Sequence, residues 1–357
     1  MILKSPPPPY AMQLKLTKFS IKDFVKKNLF HKIIFKKNIF KLISLWIKGF
    51  DSNNILLYDL IHKNAKEYLP DSIRYKISLN TNTGYWPILH DKLIFYKFIK
   101  DELPTPEILA VIFEGKFLTL SKEFDIFNIL KSDDEYVFKP LQGGKGNGIM
   151  FIRKQNDKPC IERGEGCIPL NENSLKKLIE KTNQYGIFRY YSQHSLLSCI
   201  YPKSANTIRM VTMWDIDKNV PFIFIALLRI GWDGSKPFDN FSQGGLVAKI
   251  DENTGLLSEW KRRSENGSID EGDIHPNTLE PIKGKIIPHW NNIKNKILNY
   301  VEHNSFLDYV GWDILVTEND FVVIEGNHNP DIDLVQVHKP YLSDERAMKF
   351  FRNRKII

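Results

Sequence analysis

Hydrophobic and polar positions repeat with two periods along the chain, which predict helices first and a mixed body of helices and strands afterwards. Between Leu14 and Phe50, apolar residues recur every three or four positions among lysines, a pattern typical of one or two amphipathic helices. Asp91 to Lys100 has the same spacing and predicts another helix. Pro104 limits that helix, because the residue before a proline disfavours helical geometry.

Beyond this helix, strand-like segments are joined in pairs by short polar or glycine-rich connections, which predicts antiparallel hairpins. Hairpins dominate the predicted body, and no internal repeat of about 20–50 residues is visible. The predicted pairs are Tyr136–Phe138 with Ile149–Ile152, Ile208–Trp214 with Phe222–Ile230, and Asp313–Thr317 with Phe321–Glu325.

Composition indicates a folded protein rather than a fibrous or disordered one. The 357 residues are 42% hydrophobic and 26% charged, which excludes collagen-like and disordered classes. The three cysteines include no Cys-x-x-Cys pair, so we expect neither a disulfide framework nor a four-cysteine zinc site, and a reducing compartment. A signal peptide and an apolar run of the ~20 residues needed to span a membrane are both missing from the sequence. A cytoplasmic protein is predicted.

Charge is concentrated at the N-terminus. Of the net charge of +8, residues 1–50 contribute +10, from eleven Lys against one Asp, which leaves −2 for residues 51–357. The body therefore lacks the basic surface of a nucleic-acid-binding protein, and no nucleic-acid partner is predicted. The basic segment suits peripheral contact with an anionic membrane through residues 14–50. A helical hairpin packed on the body with a solvated basic face, or docking to an acidic partner, explains the pattern equally well.

The loop after Phe138 combines flexible glycines with positive charge, as expected of a flap that covers phosphates. Its glycines allow backbone amides to approach an anion, while Lys139 and Lys145 supply charge. It is not a Walker loop, because Ile149 and Met150 stand where Lys and Ser or Thr are required. A hairpin turn without a ligand is the alternative. The candidate anion-binding glycines are Gly143, Gly144, Gly146 and Gly148.

The third predicted hairpin brings acidic side chains together. If it is symmetric about Asn319, Asp313 lies opposite Glu325, and alternation places Asn327 on the same face as Glu325. Two opposed carboxylates repel each other unless a cation or a proton compensates them. Carboxylate and amide oxygens without His or Cys suit Mg²⁺ held together with nucleotide phosphates. The alternative is a register slip that turns one carboxylate to water.

These segments, taken in order, resemble the ATP-grasp superfamily and, within it, the sugar-transfer-associated ATP-grasp proteins, from about Lys92 to Gln336. Any one of them would be weak evidence, but their order and the Asp…Glu-x-Asn spacing are specific. The matching segments are Asp91-Lys92, Phe138-Lys139-Pro140, the glycine loop, Ser204 to Arg209, Leu228 to Gly231, Asp239-Asn240, Gly244-Gly245, His275-Pro276, Gly311 to Asp313 and Glu325 to Asn327.

The resemblance implies an α+β ATP-grasp fold, in which two α/β lobes with antiparallel sheets grip ATP behind a basic helical N-terminal segment. The domain organisation expected on this basis is a basic amphipathic region over 1–80, the N-terminal and nucleotide-flap lobes over 81–200, a C-terminal lobe with the metal site over 201–340, and a tail over 341–357.

The resemblance also implies roles for single residues. Lys92 and Lys139 would contact ATP phosphates under the flap, and Mg²⁺ would be held by Asp313, Glu325 and Asn327. Arg209 and Arg229 would face the γ-phosphate or an acyl-phosphate, as guanidinium geometry suits, or else support the sheet through ion pairs. Asn206, Asn240 and His275 are weaker candidates, with structural turn or capping roles as the alternative.

One segment departs from the family pattern. Where ATP-grasp proteins usually carry an acidic residue that contacts the ribose, this chain has Phe188 to His194 without an acid. Gln193 or His194 is therefore the candidate for that contact.

The reaction implied by the resemblance is phosphorylation of a carboxylate by ATP, followed by attack of an amine on the acyl-phosphate. The expected partners are ATP and Mg²⁺, a carboxylate and an amine, with an amino acid and a sugar acid of a surface polysaccharide precursor as the suggested pair. An ATP-dependent kinase and a non-catalytic nucleotide-binding scaffold are the alternatives.

Overall fold

A computed structural model describes residues 38–122, 124–144, 146–163, 166–235 and 239–357. The basic segment over 14–37 and Lys145 lie outside these ranges. In the described part of the chain, no helix is long and apolar enough to pass through a bilayer. The α-helices of these ranges are α1 Ile39–Ile47, α2 Ser52–Leu57, α3 Arg74–Asn80, α4 Trp86–His90, α5 Lys92–Ile99, α6 Glu172–Glu180, α7 Ser195–Ile200, α8 Trp290–His303, α9 Ile332–Gln336 and α10 Glu345–Asn353.

The strands form two antiparallel sheets. The first sheet has the order β2-β1-β7-β3-β4-β5-β6, and the second has the order β12-β11-β10-β9-β8-β13-β14. Strands of the first sheet are β1 Ile108–Phe113, β2 Lys116–Thr119, β3 Tyr136–Pro140, β4 Met150–Gln155, β5 Lys158–Arg163, β6 Gly166–Pro169 and β7 Tyr185–Arg189. Strands of the second sheet are β8 Thr207–Asp215, β9 Val220–Ile230, β10 Leu246–Ile250, β11 Leu257–Arg263, β12 Ile269–Gly272, β13 Tyr309–Val316 and β14 Phe321–Asn327.

The predicted hairpins and the predicted helix after Asp91 are confirmed. β3 pairs with β4, β8 with β9, and β13 with β14, all antiparallel. Helix α5 begins where expected because the Asp91 carboxylate accepts hydrogen bonds from the Leu93 and Ile94 amides, which the first turn leaves without helical partners.

Packing divides the molecule differently from the expected domain boundaries. α6 covers the first sheet with Leu175 and Ile179. Helix α5 precedes the first sheet in the chain, yet Phe95 and Ile99 belong to the core on one face of the second sheet, together with α8. The buried side chains of α4 and α5 thus pack on the second sheet, although both helices lie within the range 81–200 predicted for the first lobes; α5 also contacts the first sheet through Leu93 and Tyr96.

The opposite face of the second sheet is covered by both ends of the described chain. Leu45 of α1 and Ile55 of α2 pack in one core with Tyr309 of β13 and Phe350 of α10. The expected tail over 341–357 is thus a packed helix with a buried apolar face, not a loose end. Of the alternatives for the N-terminal region, packing on the body is what the structure shows for residues 38–80.

The expectation about cysteines was wrong for one pair. Neighbouring strands β5 and β6 bring Cys160 and Cys167 together, and the structure joins them in a disulfide with a Cα–Cα distance of 5.8 Å. The residues are seven positions apart, so the sequence contains no Cys-x-x-Cys signal; the antiparallel register of β5 against β6 brings the two cysteines together.

A buried amide fixes the N-terminal region to the body. Gln336 of α9 accepts a hydrogen bond from the Leu69 amide (2.7 Å) and donates one to the Leu69 carbonyl (3.1 Å), and its side chain is 1% exposed. These two bonds give hydrogen-bond partners to the Leu69 amide and carbonyl, which lie outside any helix or strand. It therefore holds the segment before α3 beside α9.

Gln336→Leu is expected to lower the free energy of unfolding by about 2–5 kcal/mol, because it leaves the buried Leu69 amide and carbonyl without partners. Urea unfolding followed by fluorescence measures the change. Gln155→Leu, at an exposed position of β4, is the matched control and should change stability by less than about 0.5 kcal/mol. Equal stabilities of the two variants would contradict the assigned role.

Candidate active site

A cleft of about 570 Å³ lies between the two sheets. The first sheet contributes β3, β4, β5 and the segment 143–148, here called the glycine flap. The second sheet contributes the ends of β8 and β9 and the middle of β13 and β14. Its charged lining residues are Lys92, Lys139, Glu162, Arg209, Arg229, Asp239, Asp313, Glu325 and Asp331.

The site is the polar end of a sheet face that is otherwise apolar. On β8, Val211 and Met213 belong to the core shared with α1 and α10, whereas Thr207 and Arg209 on the same face line the cleft. Strand alternation continues the same face across β9 to Arg229. The sequence thus changes from apolar to polar where the covering helices end.

Asp313 and Glu325 lie opposite each other on β13 and β14, as predicted. The symmetric register about Asn319 does not hold near the turn, where Ile314 pairs with Val323. A β-bulge at Ile324 adds one residue to β14 and restores the predicted pairing at the site. The two carboxyl groups are within hydrogen-bonding reach of each other.

Two arginines surround Asp313, which is 3% exposed. Arg209, its direct neighbour on β8, donates from Nε to Oδ1 (2.5 Å) and from Nη2 to Oδ2 (3.1 Å), and Arg229 Nη2 lies 3.2 Å from Oδ2. Burial alone would raise the pKa of Asp313, but the two guanidinium groups hold this pKa below its ordinary value. The carboxylate therefore stays ionised without a bound ion.

Arg229 is held from its other side as well. Its Nε donates to Thr207 Oγ1 (3.0 Å) and lies 3.4 Å from Asp239 Oδ2, and its Nη1 donates to Asn240 Oδ1 (3.3 Å). Thr207 in turn donates to Asp239 (2.5 Å). The guanidinium is thus fixed at the cleft wall with one face toward Asp313.

Lys92 is positioned by the start of α5. Its backbone amide donates to the Leu141 carbonyl (2.9 Å), and its Nζ donates to the Gly143 carbonyl (3.1 Å) and lies 3.3 Å from Glu325 Oε2. The neighbouring Asp91, besides capping α5, accepts a hydrogen bond from Gln142 (3.0 Å). The predicted Asp91-Lys92 motif thus connects the flap base, the helix and the acidic pair.

Lys139 is a buried cation. It is 6% exposed, and its Nζ lies 4.1 Å from the centre of the Phe188 ring. Burial, together with the charge of Lys92, lowers the pKa of Lys139 to about 7, although Glu325 opposes the shift. Its strand neighbour Gly186 makes room for that ring, since a Cβ there would lie 2.5 Å from Phe188.

The predicted flap glycines Gly143, Gly144, Gly146 and Gly148 all line the cleft. Gly148 requires the absence of a side chain most clearly: its φ is +78°, and a Cβ would meet the Tyr185 hydroxyl at 2.6 Å. With Lys92 and Lys139 beneath it, this flap has the positive charge and the backbone freedom that a phosphate chain needs. The predicted contribution of Lys145 lies outside the described residues.

The predicted magnesium ligands fit a hard cation. Asp313 and Glu325 present carboxylate oxygens beside their arginine and lysine partners, and Asn327, also at the cleft, donates from Nδ2 to the Gly311 carbonyl (3.2 Å), so its amide oxygen is the atom suited to an ion. Within the described ranges, no three His, Cys, Asp or Glu residues gather into a possible metal site. A Mg²⁺ ion held by Asp313, Glu325 and Asn327 together with nucleotide phosphates stays a prediction.

Gln193 and His194 are not among the residues that line the cleft, and their ribose contact stays a prediction. The Gln193 amide is used within the chain: it accepts from the Asn206 amide (2.9 Å) and donates to the Ser204 carbonyl (2.9 Å). His194 accepts a hydrogen bond from the Leu196 amide (3.0 Å) and thereby begins α7. Both side chains satisfy local backbone instead of lining the cleft.

Two weaker candidates are structural as well. Asn206 is fully buried and donates to the Leu197 and Tyr201 carbonyls. His275 is buried, accepts at Nδ1 from the Asn277 and Thr278 amides, and therefore carries its proton at Nε2, 2.9 Å from the Gly231 carbonyl. Burial lowers the pKa of His275, which keeps the ring neutral.

Sequence reasoning missed several lining residues. Thr207 and Asp239, which hold Arg229, belong to the segments Ser204 to Arg209 and Asp239-Asn240. In these two segments the sequence analysis named the neighbouring Asn206 and Asn240 as candidates. Glu162 of β5 lies opposite Phe151 of β4, and both line the cleft. Alternation along the strand after the glycine flap is the signal that would have found Glu162.

Comparison with known proteins gives one family and several distant structures. The family model described as sugar-transfer associated ATP-grasp matches residues 71–347. Among curated proteins, no match was found.

Similar solved structures include an ADP complex of N5-carboxyaminoimidazole ribonucleotide synthetase, with 10% identity over 69% of this chain and a TM-score of 0.39. D-alanine–D-alanine ligase from Bacillus anthracis has 13% identity over 75% of this chain and 69% of its own, with a TM-score of 0.38. N5-carboxyaminoimidazole ribonucleotide synthetase from Thermotoga maritima has 11% identity over 76% of this chain, with a TM-score of 0.39. This chain spans 46% of the first of these and 50% of the third.

Proposed function

The chain belongs to the sugar-transfer-associated ATP-grasp family, and we propose that it is an ATP-dependent carboxylate–amine ligase. It has the α+β ATP-grasp fold, with two antiparallel sheets on either side of the cleft. The observation that carries the proposal is the meeting of four cationic side chains with an acidic pair in one cleft under a glycine flap. The four cations are Lys92, Lys139, Arg209 and Arg229, and the acidic pair is Asp313 and Glu325.

In the proposed first step, a carboxylate oxygen of the substrate attacks the γ-phosphorus of ATP, and the bond from that phosphorus to the bridging oxygen breaks to release ADP. Lys139 and Lys92 bind the phosphate chain, and the glycine flap excludes water that would hydrolyse the acyl-phosphate. Mg²⁺ held by Asp313, Glu325 and Asn327 would offset charge on the phosphoryl oxygens. Arg229 stands beside the acidic pair, where negative charge moves during transfer.

In the proposed second step, an amine nitrogen attacks the activated carbonyl carbon, phosphate leaves with the former carboxylate oxygen, and the nitrogen loses a proton to form the amide. A free carboxylate resists this attack, whereas the acyl-phosphate, a mixed anhydride, has a good leaving group. The reaction needs no protein nucleophile. This agrees with the lining of the cleft, whose charged residues are Lys, Arg, Asp and Glu and whose described residues include no Cys or His.

The suggested substrates are an amino acid and a sugar acid of a cell-surface polysaccharide precursor. The family description, which refers to sugar transfer, supports this choice. Precursors of this kind are assembled on lipids at the cytoplasmic face of the membrane, which fits a cytoplasmic protein with peripheral membrane contact through residues 14–50.

The experiment that tests the proposal is a screen of amino acids and sugar acids for stimulated ADP release, with hydroxylamine present. A ligase should form a hydroxamate from its carboxylate substrate together with stoichiometric ADP, because hydroxylamine intercepts the acyl-phosphate. ADP without hydroxamate, alongside a phosphorylated hydroxyl, would show a kinase and overturn the ligase assignment. Nucleotide binding without ADP release for any substrate would favour a scaffold.

A further inference from the structure

The outer face of α1 carries a row of exposed apolar side chains. Ile39, Phe40, Ile43 and Ile47 are 54%, 87%, 45% and 82% exposed, and we call them the apolar row. The other side of the same helix buries Leu45 in the core of the second sheet. A helix that is apolar on both sides normally has a partner on each.

A positively charged groove borders the same helix. It has a volume of about 370 Å³ and is lined by four exposed lysines, here called the basic groove: Lys41, Lys48, Lys63 and Lys66. Among the described residues, none of the four forms an ion pair with a carboxylate, although Lys41 donates to the Ile61 carbonyl (2.5 Å). The groove therefore has positive charge that this part of the protein does not compensate.

We propose that the apolar row and the basic groove together dock the protein on an anionic phospholipid bilayer. Lipid phosphates would enter the groove, and the apolar row would lie at the boundary between head groups and acyl chains, as in helices that lie in the membrane interface. Charge complementarity supports a lipid surface, since residues 1–50 carry +10 in total. A soluble phosphate compound would use the groove but would leave four large apolar side chains in water.

This inference concerns a surface on the face of the second sheet that carries α1, and it stands without the ligase reaction. It narrows the sequence prediction of membrane contact from residues 14–50 to two groups of named side chains. It also assigns the lipid contact to α1 and to Lys63 and Lys66 beside it, and not to the lysine-rich segment as a whole.

The test is sedimentation of the full chain with vesicles of phosphatidylcholine alone or mixed with phosphatidylglycerol. Wild type should sediment with the anionic vesicles and remain in solution with the neutral ones. Phe40→Ser with Ile47→Ser, and separately the replacement of all four groove lysines by Gln, should each weaken binding more than tenfold, since each lysine near an anionic surface contributes about fivefold.

Matched controls replace similar side chains elsewhere. Leu279→Ser removes another side chain that is 74% exposed, and replacing Lys158, Lys176, Lys177 and Lys181 by Gln removes the same charge from the first-sheet unit. Both controls should bind vesicles within about twofold of wild type, and all variants should keep their nucleotide binding.

Four results would overturn the proposal. One is wild-type vesicle binding by either surface variant. Another is equal loss in the controls, which would indicate dependence on net charge or overall hydrophobicity alone. The third is binding that survives the surface variants but disappears when residues 1–37 are deleted, which would assign the lipid contact to that segment instead. The fourth is loss of vesicle binding in millimolar inorganic phosphate. That result would indicate that the basic groove binds a soluble phosphate compound, and it would count against the membrane proposal.

Discussion

Asp313→Asn is expected to lower ATP turnover by about 10²–10³-fold and the free energy of unfolding by about 3–5 kcal/mol. The loss of turnover follows from removing one of the two carboxylates that would hold the nucleotide-bound ion. The loss of stability follows from the buried Arg209 and Arg229, because the neutral amide leaves Arg209 without its anion and leaves Arg229 with Asp239 alone.

Glu325→Gln separates these two effects. Glu325 is more exposed than Asp313, and its ion pair with Lys92 is made at the cleft surface, so its loss should change stability by less than about 1 kcal/mol. Turnover should nevertheless fall by about 10²-fold, because the acidic pair is broken. The two variants are thus expected to separate a functional role of Glu325 from a combined functional and stabilising role of Asp313.

The measurements are ADP release at varied Mg²⁺ concentration and urea unfolding of both variants. Wild-type turnover in either variant would refute the metal assignment. Equal stability losses in both would show that the two arginines do not depend on Asp313 in the way their contacts indicate. Gln155→Leu, the control of the unfolding experiments above, defines the change to be expected from an exposed position.

Lys139→Met is expected to weaken nucleotide binding at least tenfold and, at the same time, to stabilise the protein without nucleotide. The second effect arises because the wild type buries an ammonium group whose pKa is lowered to about 7. Burying that charge costs free energy, and a methionine of similar length removes this cost. We expect the same charge to bind phosphate, and this role explains why the chain keeps a buried ammonium group that lowers its stability.

The pH dependence gives the sign of this effect. The pKa of Lys139 falls from its ordinary value near 10.5 to about 7 on folding, so the unfolded chain binds the extra proton between these values. Wild-type stability therefore gains up to about 1.4 kcal/mol per pH unit from this group as pH rises from 7 to 10. The variant lacks this gain, so its advantage should be largest below pH 7 and should shrink toward pH 10.

Thermal unfolding with and without ADP at pH 6 and pH 9, together with calorimetric titration of ADP, measures both effects. Lys92→Met is the matched control, since Lys92 is paired with Glu325 and its loss should bring no stabilisation. A Lys139→Met variant that is less stable than wild type at pH 6 would show that the lysine is compensated in a way the structure does not contain.

Local pattern predicted those parts of the site in which neighbouring residues decide the geometry. The hairpins, the α5 start at Asp91 and the cleft position of Lys139 follow from alternation, capping and turn chemistry within a few residues. The opposed pair Asp313 and Glu325 was also predicted. Its register depends on the bulge at Ile324, whereas the sequence prediction assumed a hairpin symmetric about Asn319. Bulges depend on packing against a third strand, and hairpin symmetry does not include that strand.

Three features of the structure differ from what the sequence pattern predicted, and in each the deciding contact is made with a residue of another secondary-structure element. Gln193 was assigned to a ligand because no acid was present nearby, whereas its amide is required by the backbone around Asn206. The range 81–200 predicted for the first lobes includes α5, whose Phe95 packs against Trp312 of the second sheet (6.5 Å between ring centres). Cys160 and Cys167 met through a strand register that spacing alone does not predict. In each case the deciding partner lies outside the window in which sequence periodicity operates.

The connection between Lys92 and the flap base has a mechanical consequence. α5 is packed on the second sheet, yet the Lys92 amide holds Leu141 and Asp91 holds Gln142, both at the root of the flap on the first sheet. The flap base is therefore tied to α5, and we expect closure of the flap to be confined to the glycine-rich positions beyond Gln142. A flap that moves only over these few residues would cover a phosphate chain while the two sheets keep their relative position.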